Sequence, residues 1–557
     1  MRRGVAIIVA AAAGAVTALC GDTMNLAGTW AFTLDPQDRG IAEMWPTNVL
    51  PDTIGLPGTT DAAKRGMPNP NPPTLDGLYR PNSYEGVAWY QRDIEIPGAW
   101  KGMRVTLFLE RVRWATQVWL DGEPVGTVQD SLIAPHEYDL GTDLAQGRHR
   151  LTIRVDNTAR IALGPFVSAL YGGTPGNLNG IVGRIELNAT APVWIDDVQV
   201  YADMERKCAV ASVRLGNATG KAGSGTIVAA VASLPTKAVS AAVGWGVTGG
   251  TAVLSVPLGD GMKLWDEFTP NLYTLHVSLV DALATVDTRT VTFGMRSFAA
   301  CGTQFTLNNR PVFLRGTLEC HVFPLEGVPP TDVPSWQRIY RTIKSYGLNY
   351  MRFHSWCPPE AAFAAADIEG VMLQAEAPRA NVNAGDNPRR DAFTEAELLR
   401  MVRTYGNHPS FCLMTLGNEY GGADELLTRW VGMLIKADPR HLYTSPSCGQ
   451  STTNRQFTVT GEGRGVHGEG TQHDIRRVVA SDHRHSPLLP AQERTEPPAA
   501  GQFPSCVLEP GMVPVTAAQH HGYPVRSSAP AVRVVPNRRV QRLAMAGHHP
   551  VFAQHRP

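Results

Sequence analysis

The sequence lacks an excess of charge of either sign, because 50 Lys and Arg residues balance 50 Asp and Glu residues in a chain of 557. Proteins that bind nucleic acids neutralise phosphates with clustered positive charge, so this balance argues against such a partner. No C-x-x-C pair occurs among the eight cysteines, which argues against a disulfide framework or a zinc site. The P-loop and the G-x-S-x-G nucleophile motif are also missing.

Long hydrophobic runs are missing after the N-terminus, where no segment approaches the roughly 18 apolar residues that a membrane-spanning helix needs. Residues 1–18 are typical of a secretory signal peptide, since two arginines precede an apolar run from Val5 to Val16 and small residues follow. We therefore expect a secreted or periplasmic protein. A buried N-terminal helix is the alternative, and Leu19 is a poor residue before a lipid-modified Cys20.

Three segments of different periodicity predict a multidomain chain of β and α/β class. Short alternating runs over residues 25–194 predict a jelly-roll β-sandwich, and residues 195–300 have the length of an immunoglobulin-like β-sandwich. Residues 301–482 alternate predicted strands, the first at Pro311–Leu318, with predicted helices that include Glu395–Tyr405 and Asp424–Ala437. A row of such units favours an incomplete TIM (β/α)8 barrel over an open sheet.

The pattern stops near residue 483, and a tail rich in Pro, Arg and His follows. Residues 483–557 contain 12 Pro, 8 Arg and 7 His, and no Lys, Asp, Ile or Trp. A natural disordered tail and a stretch translated out of frame both fit this composition, and the second interpretation is favoured. In either case the pattern does not supply the last strands of an eight-stranded barrel.

Polar side chains follow the predicted strands of the third segment at their carboxyl ends, where a parallel barrel carries its active site. Glu419 is the first candidate, since it follows an apolar strand within Gly417-Asn418-Glu419. A partly desolvated carboxyl group there can have a raised pKa and act as a general acid. The neighbouring Asn418 can donate a hydrogen bond to a sugar hydroxyl.

The other predicted strands end in further candidates that could line or orient a pocket. These are Arg352 and His354 after the second strand, Glu376 after the third, and Glu319 and His321 after the first. Trp356 could stack on a sugar face, although a buried tryptophan more often packs in a core.

A longer pattern around Glu419 resembles a known family. Asn407-His408-Pro409-Ser410, an apolar strand and then Gly417-Asn418-Glu419 are similar to the acid/base signature of glycoside hydrolase family 2, the β-galactosidase, β-glucuronidase and β-mannosidase group. The segment from Phe293 to Phe298 is similar to the hinge before the barrel of that family, and the resemblance covers about residues 25–480. It departs from the family at Phe353–Pro358, where the usual Ser/Thr-His-Tyr-Pro is replaced.

The resemblance implies retaining hydrolysis of terminal β-linked sugars, with β-galactosidase as the expected activity. Retaining enzymes of this kind hold two carboxyl groups about 5–5.5 Å apart across the bond. Glu419 would protonate the leaving oxygen and then deprotonate water. The nucleophile would be a Glu that ends a later strand, and Glu493 stands at about that distance along the chain but in a segment that is not a strand end.

The expected partner is a carbohydrate substrate, and the sequence leaves a homo-oligomer open. No cofactor is expected, because no carboxylate cluster demands the Mg²⁺ that some relatives bind. The alternative function is a non-catalytic carbohydrate-binding protein with a degenerate barrel. A third interpretation is a mistranslated chain that does not fold, because unpaired parallel strands favour aggregation.

Overall fold

The structure is a computed structural model of the chain, and it describes residues 21–68, 82–170, 179–232, 237–281, 284–323, 327–459 and 466–468. The predicted signal peptide 1–18, Cys20, the tail 483–557 and Glu493 lie outside the described residues. Within these ranges, no helix is both long enough and apolar enough to cross a membrane.

The N-terminal part consists of antiparallel strands in two main sheets. The strands are β1 (Asp22–Asn25), β2 (Gly28–Asp35), β3 (Asp52–Leu56), β4 (Gly58–Thr59), β5 (Met67–Pro68), β6 (Asn82–Ser83), β7 (Val87–Ile96), β8 (Arg104–Val112), β9 (Ala115–Leu120), β10 (Glu123–Asp130), β11 (His136–Gly141), β12 (Gly147–Asp156) and β13 (Gly180–Thr190). One sheet has the order β1–β13–β8–β11, with β4 beside β13, and the other has the order β10–β9–β12–β7–β2–β3.

The two sheets face each other as a sandwich because both carry alternating apolar side chains. Trp30 of β2 and Leu107 of β8 are buried in the core between them. The turn between β9 and β10 has φ angles of 52° at Asp121 and 87° at Gly122. Two positive φ angles are what a two-residue hairpin requires, and Asp-Gly is a preferred sequence for it.

The second antiparallel unit is a curved seven-stranded sheet. Its strands are β14 (Val193–Asp203), β15 (Cys208–Asn217), β16 (Gly223–Val231), β17 (Val239–Gly246), β18 (Gly249–Pro257), β19 (Tyr273–Asp281) and β20 (Ala284–Phe293). The order is β14–β15–β18–β17–β16–β19–β20. β17 pairs with β18 over only two residues before each joins a different neighbour, and apolar side chains from all seven strands share one core.

The third unit contains a parallel sheet with a helix between each pair of consecutive strands. After a small antiparallel sheet of β21 (Phe298–Cys301), β22 (Gln304–Leu307) and β23 (Arg310–Val312), it comprises β24 (Gly316–Glu319), α1 (Val333–Ser345), β25 (Tyr350–Phe353), α2 (Glu360–Glu369), β26 (Met372–Glu376), α3 (Pro388–Tyr405), β27 (Phe411–Thr415), α4 (Asp424–Ala437) and β28 (Leu442–Thr444). β24 to β28 pair in chain order. A last hairpin joins β29 (Phe457–Val459) to β30 (Val466–Gly468).

Two predicted elements differ from the structure. The single strand predicted at Pro311–Leu318 is wrong, because the chain changes sheets there: β23 pairs antiparallel with β22, whereas β24 pairs parallel with β25. The helix predicted from Glu395 begins at Pro388, because the Asn387 side chain accepts a hydrogen bond from the Arg390 N–H at 3.0 Å and Pro388 fits the first helical turn. The predicted helix Asp424–Ala437 is confirmed at both ends.

The N-terminal sandwich and the parallel unit share one hydrophobic core. Leu163, from the loop that follows β12, is buried in the same cluster as Phe363 of α2. Glu397 of α3 is fully buried and accepts hydrogen bonds from Ser131 Oγ at 2.8 Å and from the Leu132 N–H at 3.0 Å. Leu163 thus packs the loop after β12 against the parallel unit, and Glu397 binds the loop between β10 and β11 to α3.

A buried imidazole ties α2 to the start of β27. His408 Nδ1 lies 2.6 Å from Asp367 Oδ2, and its Nε2 lies 3.2 Å from Glu360 Oε1. Burial alone would lower the pKa of His408, but the charges of Asp367 and Glu360 outweigh burial and raise that pKa to about 10. His408 is therefore an imidazolium at neutral pH.

Replacing His408 by glutamine is expected to destabilise the fold in a pH-dependent way. The raised pKa gives the wild type a stability advantage that is complete below the unfolded pKa near 6.5 and disappears as pH rises through about 10. We expect a loss of about 3 kcal/mol at pH 6, measured by urea unfolding from pH 6 to 10. His276→Gln is the control, because His276 lies on β19 and its Nδ1 bonds to the hydroxyl of Thr290 on β20, without a carboxylate in that contact. A loss that stays constant over this range would contradict the assignment.

Candidate active site

Neighbouring parallel strands end in polar side chains at one edge of the sheet. Arg352 lies in β25, Glu376 ends β26, Asn418 and Glu419 follow β27, and Ser447 follows β28. Carboxyl ends of parallel strands meet at the same edge, which is where α/β proteins bind their ligands. Three of the predicted residues, Arg352, Glu376 and Asn418, share one hydrogen-bond network there. The functional roles assigned to them from the sequence stay predictions.

Glu376 is the centre of this network and is fully buried. Its Oε1 accepts hydrogen bonds from Arg352 Nε at 2.6 Å and from Ser447 Oγ at 2.5 Å, and its Oε2 accepts from the Ser355 N–H at 2.7 Å. Burial opposes ionisation, but the Arg352 charge outweighs it and holds the pKa of Glu376 below its usual range. Glu376 is thus a carboxylate whose two oxygens are both occupied by protein donors.

Arg352 connects Glu376 to Asn418, and this contact fixes how the Asn418 amide is turned. Arg352 Nη2 donates to Asn418 Oδ1 at 2.6 Å. Since a guanidinium can only donate, the Asn418 amide nitrogen must face away from it. Asn418 is 2% exposed, and its Nδ2 has no hydrogen-bond partner within the described ranges. A buried donor without a partner costs about 1–3 kcal/mol, which an oxygen of a bound ligand would offset.

Replacing Asn418 by alanine is expected to weaken sugar binding about tenfold, because the bound hydroxyl loses one buried hydrogen bond. The measurement is a calorimetric titration of the variant and the wild type with galactose and with glucuronate. Asn188→Ala is a matched control, since Asn188 lies on β13 and its side chain is paired with Thr23 Oγ1. Equal dissociation constants for Asn418→Ala and the wild type would exclude a contact between this amide and the sugar.

Glu419 directly follows the buried Asn418 but is itself exposed. The φ angle of Glu419 is 51°, which lies outside the range of a β-strand. The side chains of Asn418 and Glu419 therefore point in different directions. The Glu419 N–H donates to Ser447 O at 2.8 Å, and Asn381 Nδ2 donates to Glu419 Oε2 at 3.3 Å. The sequence predicted a partly desolvated carboxyl group, and the described part of the chain instead leaves this one open to solvent.

His354 is half-buried at the end of β25 and contacts the N-terminal sandwich. Its Nδ1 lies 2.8 Å from Ser168 Oγ, in the loop of residues 161–170, and 3.1 Å from Ser355 Oγ. Burial lowers the pKa of His354, although the negative charge of Glu376 opposes this effect. His354 is therefore a neutral imidazole at pH 7, able both to donate and to accept a hydrogen bond.

Trp356 was predicted as a stacking platform, and its burial contradicts that role. Its exposed fraction is 1%. The ring is packed edge to face against His321 at 4.8 Å and Phe353 at 5.2 Å between ring centroids, and its Nε1 donates to Glu319 O at 3.2 Å. The alternative of core packing is therefore correct for this tryptophan.

Glu319 and His321 belong to a tight turn after β24. The Glu319 carboxylate accepts hydrogen bonds from the N–H groups of His321 at 2.8 Å and Val322 at 2.7 Å, and burial raises the pKa of Glu319 to about 7. His321 is fully buried, and its Nε2 lies 3.0 Å from Arg113 Nη2 of the sandwich. Both side chains therefore hold the turn and the contact with the sandwich.

Several residues of the site were not predicted. Ser447 could have been found, because it follows the end of β28 just as Asn418 follows the end of β27. Ser355, Asn381 and Ser168 carry no comparable signal, since they lie in loops whose path depends on distant packing. The part of the chain that the structure describes contains no group of three or more His, Cys, Asp or Glu side chains that could hold a metal ion.

Solved structures with this architecture are enzymes that act on glycosides. One is a glycoside hydrolase family 2 β-galacturonidase from Eisenbergiella tayi bound to galacturonate, with a TM-score of 0.62 and 18% identity over 77% of this chain and 72% of that one. Another is a Bacteroides uniformis β-glucuronidase, with a TM-score of 0.61 and 18% identity over 76% of this chain and 52% of that one. At this identity the matches establish the fold alone.

Sequence comparison identifies the family. Residues 23–162 match the family described as "Glycosyl hydrolases family 2, sugar binding domain", and residues 193–296 match "Glycosyl hydrolases family 2". The two matches, together with the relatives below, support a member of glycoside hydrolase family 2. This confirms the resemblance seen in the sequence and supports a glycoside hydrolase.

The curated relatives are glycosidases of two specificities. The chain is 24% identical to a β-glucuronidase of Paenibacillus borealis over 72% of this chain and 68% of that protein. It is 24% identical to β-galactosidase 2 of Enterobacter cloacae over 73% of this chain, but spans only 41% of that protein. A Sus scrofa β-glucuronidase is 25% identical over 74% of this chain and 66% of its own length.

Proposed function

We propose that the protein is a retaining exo-β-glycosidase that removes terminal β-galactosyl groups and uses Glu419 as its acid/base. The observation that carries this proposal is the unpaired, buried Nδ2 of Asn418 beside the exposed carboxyl group of Glu419. A fixed amide donor can hold a sugar hydroxyl, and an exposed carboxyl group on the next residue is open to the glycosidic oxygen of a bound sugar. Family membership supports the same reaction class.

In the proposed mechanism, Arg352 and Glu376 hold the Asn418 amide while Asn418 orients the sugar. Glu419 donates a proton to the leaving oxygen in the first step and removes a proton from water in the second. Asn381 restrains the Glu419 carboxylate through its hydrogen bond to Oε2.

The retaining mechanism needs a second carboxylate as the nucleophile. Glu376 is unsuitable, because both of its oxygens are occupied by protein donors and it is fully buried. We therefore place the nucleophile on a later strand and propose that β24 to β28 are the first strands of a (β/α)8 barrel. Glu493 stays the sequence-based candidate, outside the described residues.

The test is hydrolysis of 4-nitrophenyl β-galactoside and 4-nitrophenyl β-glucuronide by the full chain, with the anomer of the first product read by NMR. Release of the β-anomer of galactose supports the proposal, and release of the α-anomer would contradict retention. Turnover of the glucuronide alone would show that the enzyme removes glucuronyl groups and not galactosyl groups. This β-glucuronidase activity is the second candidate, because two relatives are β-glucuronidases. Sugar binding without any turnover would favour the carbohydrate-binding alternative.

A further inference from the structure

One exposed aromatic ring lies on the loop that the N-terminal sandwich extends toward the site. Phe166, in the loop of residues 161–170, is 61% exposed. The other large apolar side chains of this loop are buried in the shared core: Ile161, Leu163, Val167 and Leu170. Phe166 is therefore exposed in a loop whose other large apolar side chains are buried.

The backbone of this loop is bonded to residues that contact the catalytic candidates. Phe166 O accepts a hydrogen bond from Ser355 Oγ at 3.1 Å, and the Ser355 N–H donates to Glu376. Three residues earlier, Leu163 O accepts from the Ala380 N–H at 3.1 Å, and Ala380 precedes the Asn381 that donates to Glu419. The loop that carries Phe166 is thus bonded both to the part of the site around Glu376 and to the part around Glu419.

The loop is held in one position rather than resting loosely on the site. Gly164 has a φ of 113°, and a Cβ atom there would lie 1.6 Å from Ala380 O, so the two backbones approach too closely for any other residue. On the other side of Phe166, the Ser168 N–H donates to Ser355 Oγ at 2.8 Å. The backbone that carries Phe166 is therefore pre-organised, which lowers the entropy cost if its ring contacts a ligand.

We propose that Phe166 is a specificity-determining residue that forms an apolar wall against which one ring of the bound glycoside packs. The inference rests on the proposed function, since it assumes that the strand-end network binds a glycoside. Pyranose rings present apolar C–H faces between their hydroxyls, and ligand pockets combine such aromatic walls with a few polar groups. Here Asn418 supplies the polar contact and Phe166 the apolar one.

The experiment measures dissociation constants by calorimetry for galactose and for a β-galactosyl disaccharide with a sulfur in place of the glycosidic oxygen, which resists hydrolysis, with the wild type, Phe166→Ala, Phe166→Trp and Phe268→Ala. Phe268 is the matched control, because it is 82% exposed on a turn between β18 and β19. We expect Phe166→Ala to bind the disaccharide about tenfold more weakly, and Phe166→Trp and Phe268→Ala to bind as the wild type does. Melting temperatures check that all four proteins fold.

The two ligands identify which ring packs on Phe166. Weaker binding of both ligands places the terminal sugar there, and weaker binding of the disaccharide alone places the leaving-group sugar there. Equal affinities of Phe166→Ala and wild type, together with weaker binding by Asn418→Ala, would overturn the role of Phe166 and leave the proposed function standing. A wild type that binds neither ligand would overturn both.

Discussion

Replacing Glu419 by glutamine is expected to reduce kcat/KM for a β-galactosyl disaccharide about 10²- to 10⁴-fold, the usual contribution of general acid–base catalysis. The amide keeps the shape of the carboxyl group but cannot protonate the leaving oxygen. The loss should be smaller for a nitrophenyl substrate, because nitrophenolate leaves without much protonation. Affinity for galactose should not change, since the proposed sugar contact is the Asn418 amide.

The measurement compares initial rates on both substrates for the wild type, Glu419→Gln and Glu425→Gln. Glu425 is an exposed acid in the first turn of α4, so its replacement should leave both rates unchanged. Equal rates for wild type and Glu419→Gln would remove Glu419 from the reaction. An equal loss on the two substrates would assign it a role other than protonation of the leaving oxygen.

Replacing Arg352 by methionine is expected to cost about 3–5 kcal/mol of unfolding free energy at pH 8, because Glu376 remains as a fully buried charge without its partner. In the wild type the pKa of Glu376 is depressed, so its ionised form adds stability above the unfolded pKa, and this contribution is lost as pH falls through the folded pKa. The difference between the two proteins should therefore shrink as the pH falls toward 4.

Urea unfolding at pH 4 and pH 8 tests this expectation. The double variant Arg352→Met with Glu376→Gln should recover much of the loss, because it no longer buries an uncompensated charge. Arg206→Met is the control, since Arg206 is 79% exposed and pairs only across a surface turn with Asp203. A loss below about 1 kcal/mol at both pH values would show that Glu376 does not depend on Arg352 for its charge.

The sequence predicts the part of the site at the strand ends, because a residue that directly follows a buried parallel strand must lie at that edge of the sheet. An apolar run followed by a polar residue indicates the carboxyl end of a buried strand, and neighbouring strands in chain order then bring Arg352, Glu376 and Asn418 together. The same local signals predict α4 at both ends. The start of α3 was missed only because the Asn387-Pro388 start signal was not used.

The loop half of the site was beyond prediction from one sequence. Phe166 and Ser168 reach the strand ends only because the N-terminal sandwich packs on the parallel unit, and no local pattern reports that packing. The prediction that Trp356 stacks on a sugar failed for a related reason. Its position in the sequence near His354 does not reveal that His321 and Phe353 pack against its ring. Glu493 stays a prediction, because it lies outside the described residues.

The core shared by the sandwich and the parallel unit limits how this protein can be taken apart. Glu397 accepts hydrogen bonds from Ser131 and Leu132 across the boundary, so cutting the chain between the units would remove these two donors from a buried carboxyl group that also pairs with Arg400, and would expose the apolar side of Leu163. The sandwich is thus no detachable module. Exchanging it for that of a relative would require replacing the facing surfaces of α2 and α3 as well, so the two units are constrained to evolve together.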